Sequence, residues 1–352
     1  MEWIKAGRLM SSITIHSTGA VSAIGLTPSV MAAAAMAGIS MIKEQDYLSS
    51  TGEPYRMALV PDECLPVLDN GVTRQSSYRY RRMLQLLTLA LEQIELDRKT
   101  PLPVMVNLPD NLRIDGQSLQ VLQEIHRLSG QPIDWINSRV YQLGRAGGFS
   151  ALQDAWSLID EGQIEQVLVI GVDSCACPRT LLQWEKEERL LLSNVGDGFL
   201  PGEAAGCLLL KRTSEHSQIQ LGAPAVSQET AHFYNTEDVC LGKGLTAVFE
   251  KACEPLRTPV RHVACGLNGE SSHIKEWGIS VNRLDDSQLD NQASLIHPAE
   301  SYGDIGAASA PVLIAMVANM LGDSDIEGPV LTWCASDYET RGAVALWLQE
   351  NR

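Results

Sequence analysis

Two thiols one residue apart, Cys175 and Cys177, are the first candidates for chemistry, either as a redox couple or as half of a metal site. The spacing is Cys-x-Cys and no second Cys/His pair follows at zinc-finger distance, so packing or loop roles are favoured over ligation. His232 with Cys240, and His273 with Glu276, also fall short of a metal-site pattern. The glycine-rich GRAGG of residues 144–148 has the look of a phosphate cradle, but it lacks the Lys-Ser/Thr of a P-loop and the full dinucleotide fingerprint. Close backbone approach at a helix start explains it better. No Gly-x-Ser-x-Gly hydrolase elbow occurs. The densest basic run is YRYRR, where Arg79, Arg81 and Arg82 alternate with Tyr78 and Tyr80. A solvated helix face is the expectation there, with a docking patch for an acidic partner as the sharper alternative. These residues imply no metal and no cofactor.

The elements that must position such groups follow from the apolar pattern. Ile13 to Ile24 alternates short apolar segments with Gly19 and Gly25, as a buried strand and its turn do. Thr27 and Pro28 then open an Ala-rich helix, with a capping side chain and proline in the first turn. Arg79–Glu95 places Met83, Leu84, Leu87, Leu91 and Ile94 on one helical face. Strands are expected at Pro103–Val106, Trp135–Tyr141, Gln166–Ile170 and along CLLLKR after Gly206, with helices at Leu119–Leu128 and Gly144–Ile159. The second half repeats the theme: a helix at Thr246–Ala252, a strand at His262–Cys265, an apolar helix at Ile305–Leu321, and strands at Val330–Cys334 and Ala343–Leu348. Strands apolar throughout, alternating with helices, indicate sheets covered on both faces. The pattern divides into an N-terminal half, 1–215, and a C-terminal half, 216–352.

Apolar residues make up 45% and charged residues 20%, which excludes general disorder. A net charge of −16 disfavours phosphate backbones and anionic lipid, so neither nucleic acid nor a membrane is an expected partner. Val30–Ile42 is too short to span a bilayer, and Ile305–Leu321 is interrupted by Ser309, Pro311 and Asn319, so both are expected as core helices. The opening MEWIKAGRLMSS has no apolar signal core, and eight scattered cysteines suit a reducing compartment. A cytoplasmic protein is expected.

Three segments resemble β-ketoacyl synthases of the thiolase superfamily in order and spacing. Residues 144–174, GRAGGFSALQDAWSLIDEGQIEQVLVIGVDS, are similar to the family's nucleophile helix and the strand after it. Residues 197–210, DGFLPGEAAGCLLL, are similar to a segment leading into the last strand of the first half, and residues 301–317, SYGDIGAASAPVLIAMV, to the Gly-His-x-x-Gly-Ala-Ala helix. TGAVSAIGLTPSVMAAAAMAGISMI shares the family's opening pattern. The resemblance implies an α/β thiolase-like fold, five-layered as α/β/α/β/α, with two pseudo-duplicated halves.

In that family a cysteine at a buried helix start takes the acyl group as a thioester, and two histidines assist the condensation. Matched residue by residue, the nucleophile's place holds Arg145, the first histidine's place Asn268 in LNGES, and the second's Asp304 after Gly303. Ala299 stands for the family's lysine, and CASDYETRG fills the stretch of its Gly-Phe-Gly-Gly loop. A guanidinium at a helix N-terminus opposes the macrodipole by about 0.3–1 kcal/mol when exposed, and burying it unpaired costs several times more. Arg145 therefore needs a carboxylate, and Asp304 with Asn268 is expected to face it as the pocket residues. The resemblance then implies no catalytic residue and a non-catalytic binding, scaffold or adaptor protein. The alternative is a β-ketoacyl-carrier-protein synthase or other acyltransferase using unconventional residues. Members of the superfamily are generally dimers, paired through the strand before the nucleophile helix, so a homodimer or heterodimer is implied. Degenerate ketosynthase-like chains also occur beside bacterial secretion-system genes, which implies a secretion-system component as a partner.

Overall fold

The computed structural model describes residues 12–68, 77–112, 118–213 and 219–348. The first half runs β1 (Ser12–Ser22), α1 (Pro28–Met36), the hairpin β2 (Lys43–Leu48) and β3 (Pro54–Met57), α2 (Tyr78–Leu91), β4 (Val104–Asn107) and α3 (Ser118–Ser129). It continues through β5 (Arg139–Tyr141), α4 (Gly147–Asp160), β6 (Gln166–Ser174), α5 (Pro178–Lys186) and β7 (Glu203–Thr213). The second half runs β8 (Ile219–Leu221), β9 (Ala225–Gln228), α6 (Lys243–Cys253), β10 (Val260–Cys265), α7 (Ser271–Val281) and β11 (Leu289–Ile296). It closes with α8 (Ala299–Tyr302), α9 (Ser309–Gly322), β12 (Val330–Ala335) and β13 (Thr340–Leu348).

Each half forms a mixed sheet with one strand order. The first is β5-β4-β6-β7-β1 and the second β11-β10-β12-β13-β8, with β9 also on β13; in the chain order of each half both read third, second, fourth, fifth, first. The orientations agree as well. β4 is parallel to β5 and β6, and β7 is antiparallel to β6 and β1. β10 is parallel to β11 and β12, and β13 is antiparallel to β12, β8 and β9. The two half-sheets join edge to edge where β8 pairs with β1. Helices α4 and α9 touch strands of both halves and form the middle layer, α2 and α3 cover the first sheet, and α6 and α7 cover the second. This is the five-layered, pseudo-duplicated α/β fold. The 215/216 boundary lies within residues 214–218, outside the described residues.

Local chemistry accounts for most boundaries. The Thr27 side chain accepts from the Val30 amide and Pro28 occupies the first turn of α1. Helix α9 is buried along nearly its whole length, as its composition demands. Helix α1 departs from its expected core role: Met31, Ala32 and Ala34 are buried, but Val30, Met36 and Ile39 are exposed, because only its inner face meets α9 and β1. The strand expected over Trp135–Tyr141 is only Arg139–Tyr141. The Asp134 carboxylate takes the Ile136 amide at 3.0 Å and the Asn137 side-chain amide at 2.7 Å, and this turn replaces ladder pairing. Helix α7 and strands β8, β9 and β11 lay beyond the sequence pattern. In β11 the side chains are half-buried or exposed, so no apolar run marks it.

The YRYRR arginines are mostly inside, against both readings of that run. Arg79 is 5% and Arg82 3% exposed. The Arg82 guanidinium bonds both oxygens of the fully buried Glu203 at 2.7 Å. Arg79 bonds Asp173 at 2.8 Å and the Ser174 carbonyl at 2.7 Å. Buried carboxylates on β6 and β7 require cations, and the first turn of α2 supplies them.

Glycines let the middle layer approach the first sheet. Gly171 and Gly206 are partners across β6 and β7. A Cβ at Gly171 would lie 2.6 Å from the Ala307 carbonyl oxygen, and one at Gly206 2.7 Å from the Val312 amide. Both obstacles are backbone, so neither can swing aside. Gly206→Ala is expected to lower stability by about 1–3 kcal/mol, the usual range for overpacking; urea unfolding with an unchanged midpoint would show that the helix has room to move.

Candidate functional site

The middle-layer helices meet nose to nose. Each is preceded by a short 3-10 turn, Gly144–Ala146 before α4 and Gly306–Ala308 before α9, and the two turns are in contact. Gly144 and Gly306 open these turns with φ of 65° and 50°, which glycine adopts without penalty. A Cβ at Gly147 would fall 2.2 Å from the Asn107 side chain, and one at Gly148 2.8 Å from Ala310. The GRAGG glycines thus serve close packing, as their lack of a phosphate-binding signature suggested. Two positive helix ends and the Arg145 side chain converge here, and the surroundings answer with carboxylates. Asp173 accepts from the Ala307 amide at 3.0 Å, and Asp304 accepts from the Gly306 amide at 2.9 Å.

The structure brings Arg145, Asn268 and Asp304 together. Arg145 Nε lies 2.8 Å from Asp304 Oδ2, and Asn268 donates to the same oxygen at 3.0 Å. All three are buried. Asp304 is placed by a crossing of two backbones. The Asp304 amide bonds the Leu200 carbonyl at 2.7 Å and its carbonyl receives the Gly202 amide at 2.8 Å. Gly202 and Gly303 allow that crossing, since a Cβ on either would strike the other strand's carbonyl oxygens.

Four further partners were not among the expected pocket residues. Asp337, in the CASDYETRG stretch, binds a second edge of the Arg145 guanidinium and also takes Arg189 at 2.8 and 2.9 Å. Arg189 reaches Glu270 at 2.8 and 2.7 Å and stacks on the Phe233 ring at 4.1 Å. Glu270 in turn accepts from Asn268 at 2.8 Å, and His273 touches Asn268 Oδ1 at 3.3 Å. Asp337 and Glu270 sit within stretches already singled out, yet no local pattern pairs them with Arg189. That arginine, 81 residues from Glu270 and 148 from Asp337 in sequence, carries no local signal of its role.

Charge states follow from this enclosure. Burial alone would favour neutral carboxyls, but the Arg145 guanidinium holds Asp304 below the usual carboxylate range. Burial likewise opposes the charge on Asp337, yet Arg145 and Arg189 hold it far below that range. Burial works against Arg145 too, and Asp304 and Asp337 keep it protonated well beyond an ordinary arginine. Burial, aided by Arg145, lowers His273 to about 4, so it is neutral at pH 7. The network then holds two guanidiniums against three carboxylates.

Arg145, Asp304 and Asp337 border a cleft of about 200 Å³ whose lining also includes Arg79, Asp110, Asp173, Cys175, Glu187, Tyr234 and Tyr338. Cys175 is buried, and burial with the Glu203 and Asp173 charges pushes its thiol well up. Cys177 differs. Burial opposes ionisation there, but the Thr180 hydroxyl and amide hold its thiol below the ordinary value. Cys240 gathers with Glu229 and Glu276, the ligand atoms of the three falling within 4.8 Å of one another, while His232 faces Glu339 at 3.5 Å. Glu276 is already bonded by Arg341 at 2.7 Å.

The fold has counterparts among known proteins. Residues 145–216 match the family model of the beta-ketoacyl synthase N-terminal domain. No curated protein matches the sequence. A ketosynthase (ApeO) in complex with its chain length factor (ApeC) from Xenorhabdus doucetiae matches over 98% of this chain and 100% of that one, at TM-score 0.74 and 14% identity. The ishigamide ketosynthase/chain length factor matches over 96% and 100%, at TM-score 0.69 and 18% identity. The oxazolomycin ketosynthase domain of Streptomyces albus matches over 97% and 76%, at TM-score 0.72 and 14% identity. The chain has the thiolase-like ketosynthase fold, and its residues 145–216 carry the match to the family model. These neighbours give no support to a secretion-system partner. Among the described residues, no helix is long and apolar enough to cross a membrane.

Removing the central cation should be costly. Arg145→Ala leaves Asp304 and Asp337 buried without a shared partner and is expected to destabilise the fold by about 3–5 kcal/mol, the range for breaking a buried pair. A loss under about 1 kcal/mol in urea unfolding would place the network among weak surface-type pairs.

Proposed function

We propose that the chain is a non-catalytic, ketosynthase-like subunit that binds a partner chain or ligand and transfers no acyl group. The observation that carries this reading is the buried ion network of Arg145 with Asp304 and Asp337. In our assignment Arg145 stands at the family's nucleophile position, and Asn268 and Asp304 stand at the two histidine positions. A thioester route needs a thiolate, a set of oxyanion donors and an imidazole. Arg145 is instead a permanent cation with its Nε and both amino groups engaged by carboxylates. The thiol lining the cleft, Cys175, is held protonated by its burial and two nearby carboxylates. His273 is neutral, but its Nδ1 faces the Asn268 carbonyl oxygen and Glu270, and its Nε2 has no hydrogen-bond partner among the described residues.

The test is incubation of the purified chain with radiolabelled acyl-carrier-protein and acyl-CoA thioesters, followed by intact-mass and peptide mapping. No covalent label above that on the unfolded chain is expected. A stoichiometric acyl adduct on any cysteine or serine of the cleft would overturn the reading in favour of a working acyltransferase.

The reading includes pairing through the edge of the first sheet. β5 ends that sheet, and beside it Trp135 is 49% and Ile136 89% exposed. An open strand edge flanked by bulky apolar side chains is a template for a second chain. Two of the structural neighbours are ketosynthase and chain length factor assemblies, which supports the same use here. Light scattering is expected to give a dimer, either of this chain alone or with a co-expressed ketosynthase subunit, and Ile136→Asp is expected to return it to monomer. A chain that stays monomeric in both preparations would remove the dimer from the proposal.

A further inference from the structure

The cleft keeps a charge that its own residues do not neutralise. Five carboxylates and two guanidiniums line it. Both guanidiniums are spent internally: Arg79 on Asp173, and Arg145 on Asp304 and Asp337. That leaves Asp110 and Glu187. Neither forms an ion pair among the described residues. Glu187 accepts from the Gln183 side chain at 2.8 Å and from the Tyr234 hydroxyl at 3.1 Å, both neutral donors. Asp110 stands beside Gly144, with Oδ2 3.2 Å from where a Cβ on that glycine would be. Loss of water around its carboxylate, with Asp337 and Asp173 nearby, raises its pKa despite the opposing Arg145 charge.

Two aromatic rings line the same cleft. Tyr234 and Tyr338 have centroids 5.0 Å apart and are 40% and 47% exposed. Burial and the charges of Asp110, Asp337, Glu187 and Glu339 raise the Tyr338 hydroxyl above its ordinary value, so that ring stands in an acidic neighbourhood. A compact metal ion does not suit this spacing, because no three of the cleft's carboxylates bring oxygens within 4.8 Å of one another. Spread carboxylates beside exposed rings suit an extended organic cation, which pairs with the first and lies against the second.

We propose that the cleft binds a ligand carrying a guanidinium or primary ammonium group, held between the Asp110 and Glu187 carboxylates and against the Tyr234 and Tyr338 rings. This rests on the reading of the cleft as one that takes up no acyl group, and it gives that cleft an occupant. The cation is either a free alkyl amine or the arginine side chain of a protein partner, since both present the same chemistry. An acyl-CoA or phosphopantetheine phosphate meets charge of its own sign here and is disfavoured.

Titration calorimetry on the full chain would use two probes, agmatine for the free amine and acetyl-Gly-Arg-Gly-amide for the side chain. Saturable binding of at least one is expected, and the tighter probe identifies the source. Asp110→Asn and Glu187→Gln should each weaken binding about tenfold, as loss of one charge-assisted hydrogen bond does. A double variant in the exposed connection that follows α9, Asp325→Asn with Glu327→Gln, changes net charge by the same sign and should leave binding unchanged. Binding of neither probe, or equal weakening by the α9 variant, would overturn the proposal. Either result leaves the acyl-labelling outcome untouched, so failure of this inference is distinguishable from failure of the non-catalytic reading.

Discussion

Burying Arg145 where two helix N-termini converge is the constraint on which the centre of this molecule depends. Both helix ends point positive partial charge at the same small volume, and the guanidinium adds a full charge to it. Such a point is tenable only with carboxylates in contact, and the chain delivers them from three separate places: Asp173 at the end of β6, on the Ala307 amide before α9, and Asp304 before α9 and Asp337 between β12 and β13, both on the guanidinium. Asp337 then overshoots, because it also faces Arg189, and Arg189 recruits Glu270. The result is a closed set of charge-assisted hydrogen bonds that ties both halves of the fold at their junction.

That junction exists because glycines remove side chains where backbones cross. Gly171 and Gly206 lie side by side under the start of α9, and Gly202 and Gly303 pass within carbonyl contact of each other. The strand order shared by the two sheets sets α4 and α9 in equivalent places, so their N-termini must meet. The ion network is the local answer to a geometry that the topology imposes.

A buried ion network of this kind is weak evidence for added stability, since well-packed apolar groups often do as well. Its consequence is chemical. It fixes the charge of the cleft wall, keeps the Arg145 guanidinium occupied, and leaves the mouth with acidic and aromatic groups facing water. A surface of that type selects ligands by charge rather than by apolar length. The exposed edge at β5 is a separate feature, at the opposite edge of the first half-sheet from β1, where the two half-sheets join.

Much of the frame was legible in the sequence because it is written in local terms. The Thr27-Pro28 start of α1, the apolar strands β6, β7 and β12, and the buried helix α9 each carry their own periodicity. The Arg145–Asp304 contact followed from one electrostatic requirement, that a buried guanidinium must have a carboxylate, once the resemblance had put both residues at one site. Tertiary structure decided the rest. Arg79 and Arg82 look solvated in sequence, but Asp173 and Glu203 on neighbouring strands draw them inside. Trp135–Asn137 has the composition of a strand, but the Asp134 side chain turns it. Asp337, Arg189 and the Glu270–His273 segment come from three distant stretches with no shared spacing, so their meeting could be known only from the folded chain. Periodicity reports which face of an element is buried; which charges meet across that face is settled by packing between elements that the sequence never places side by side.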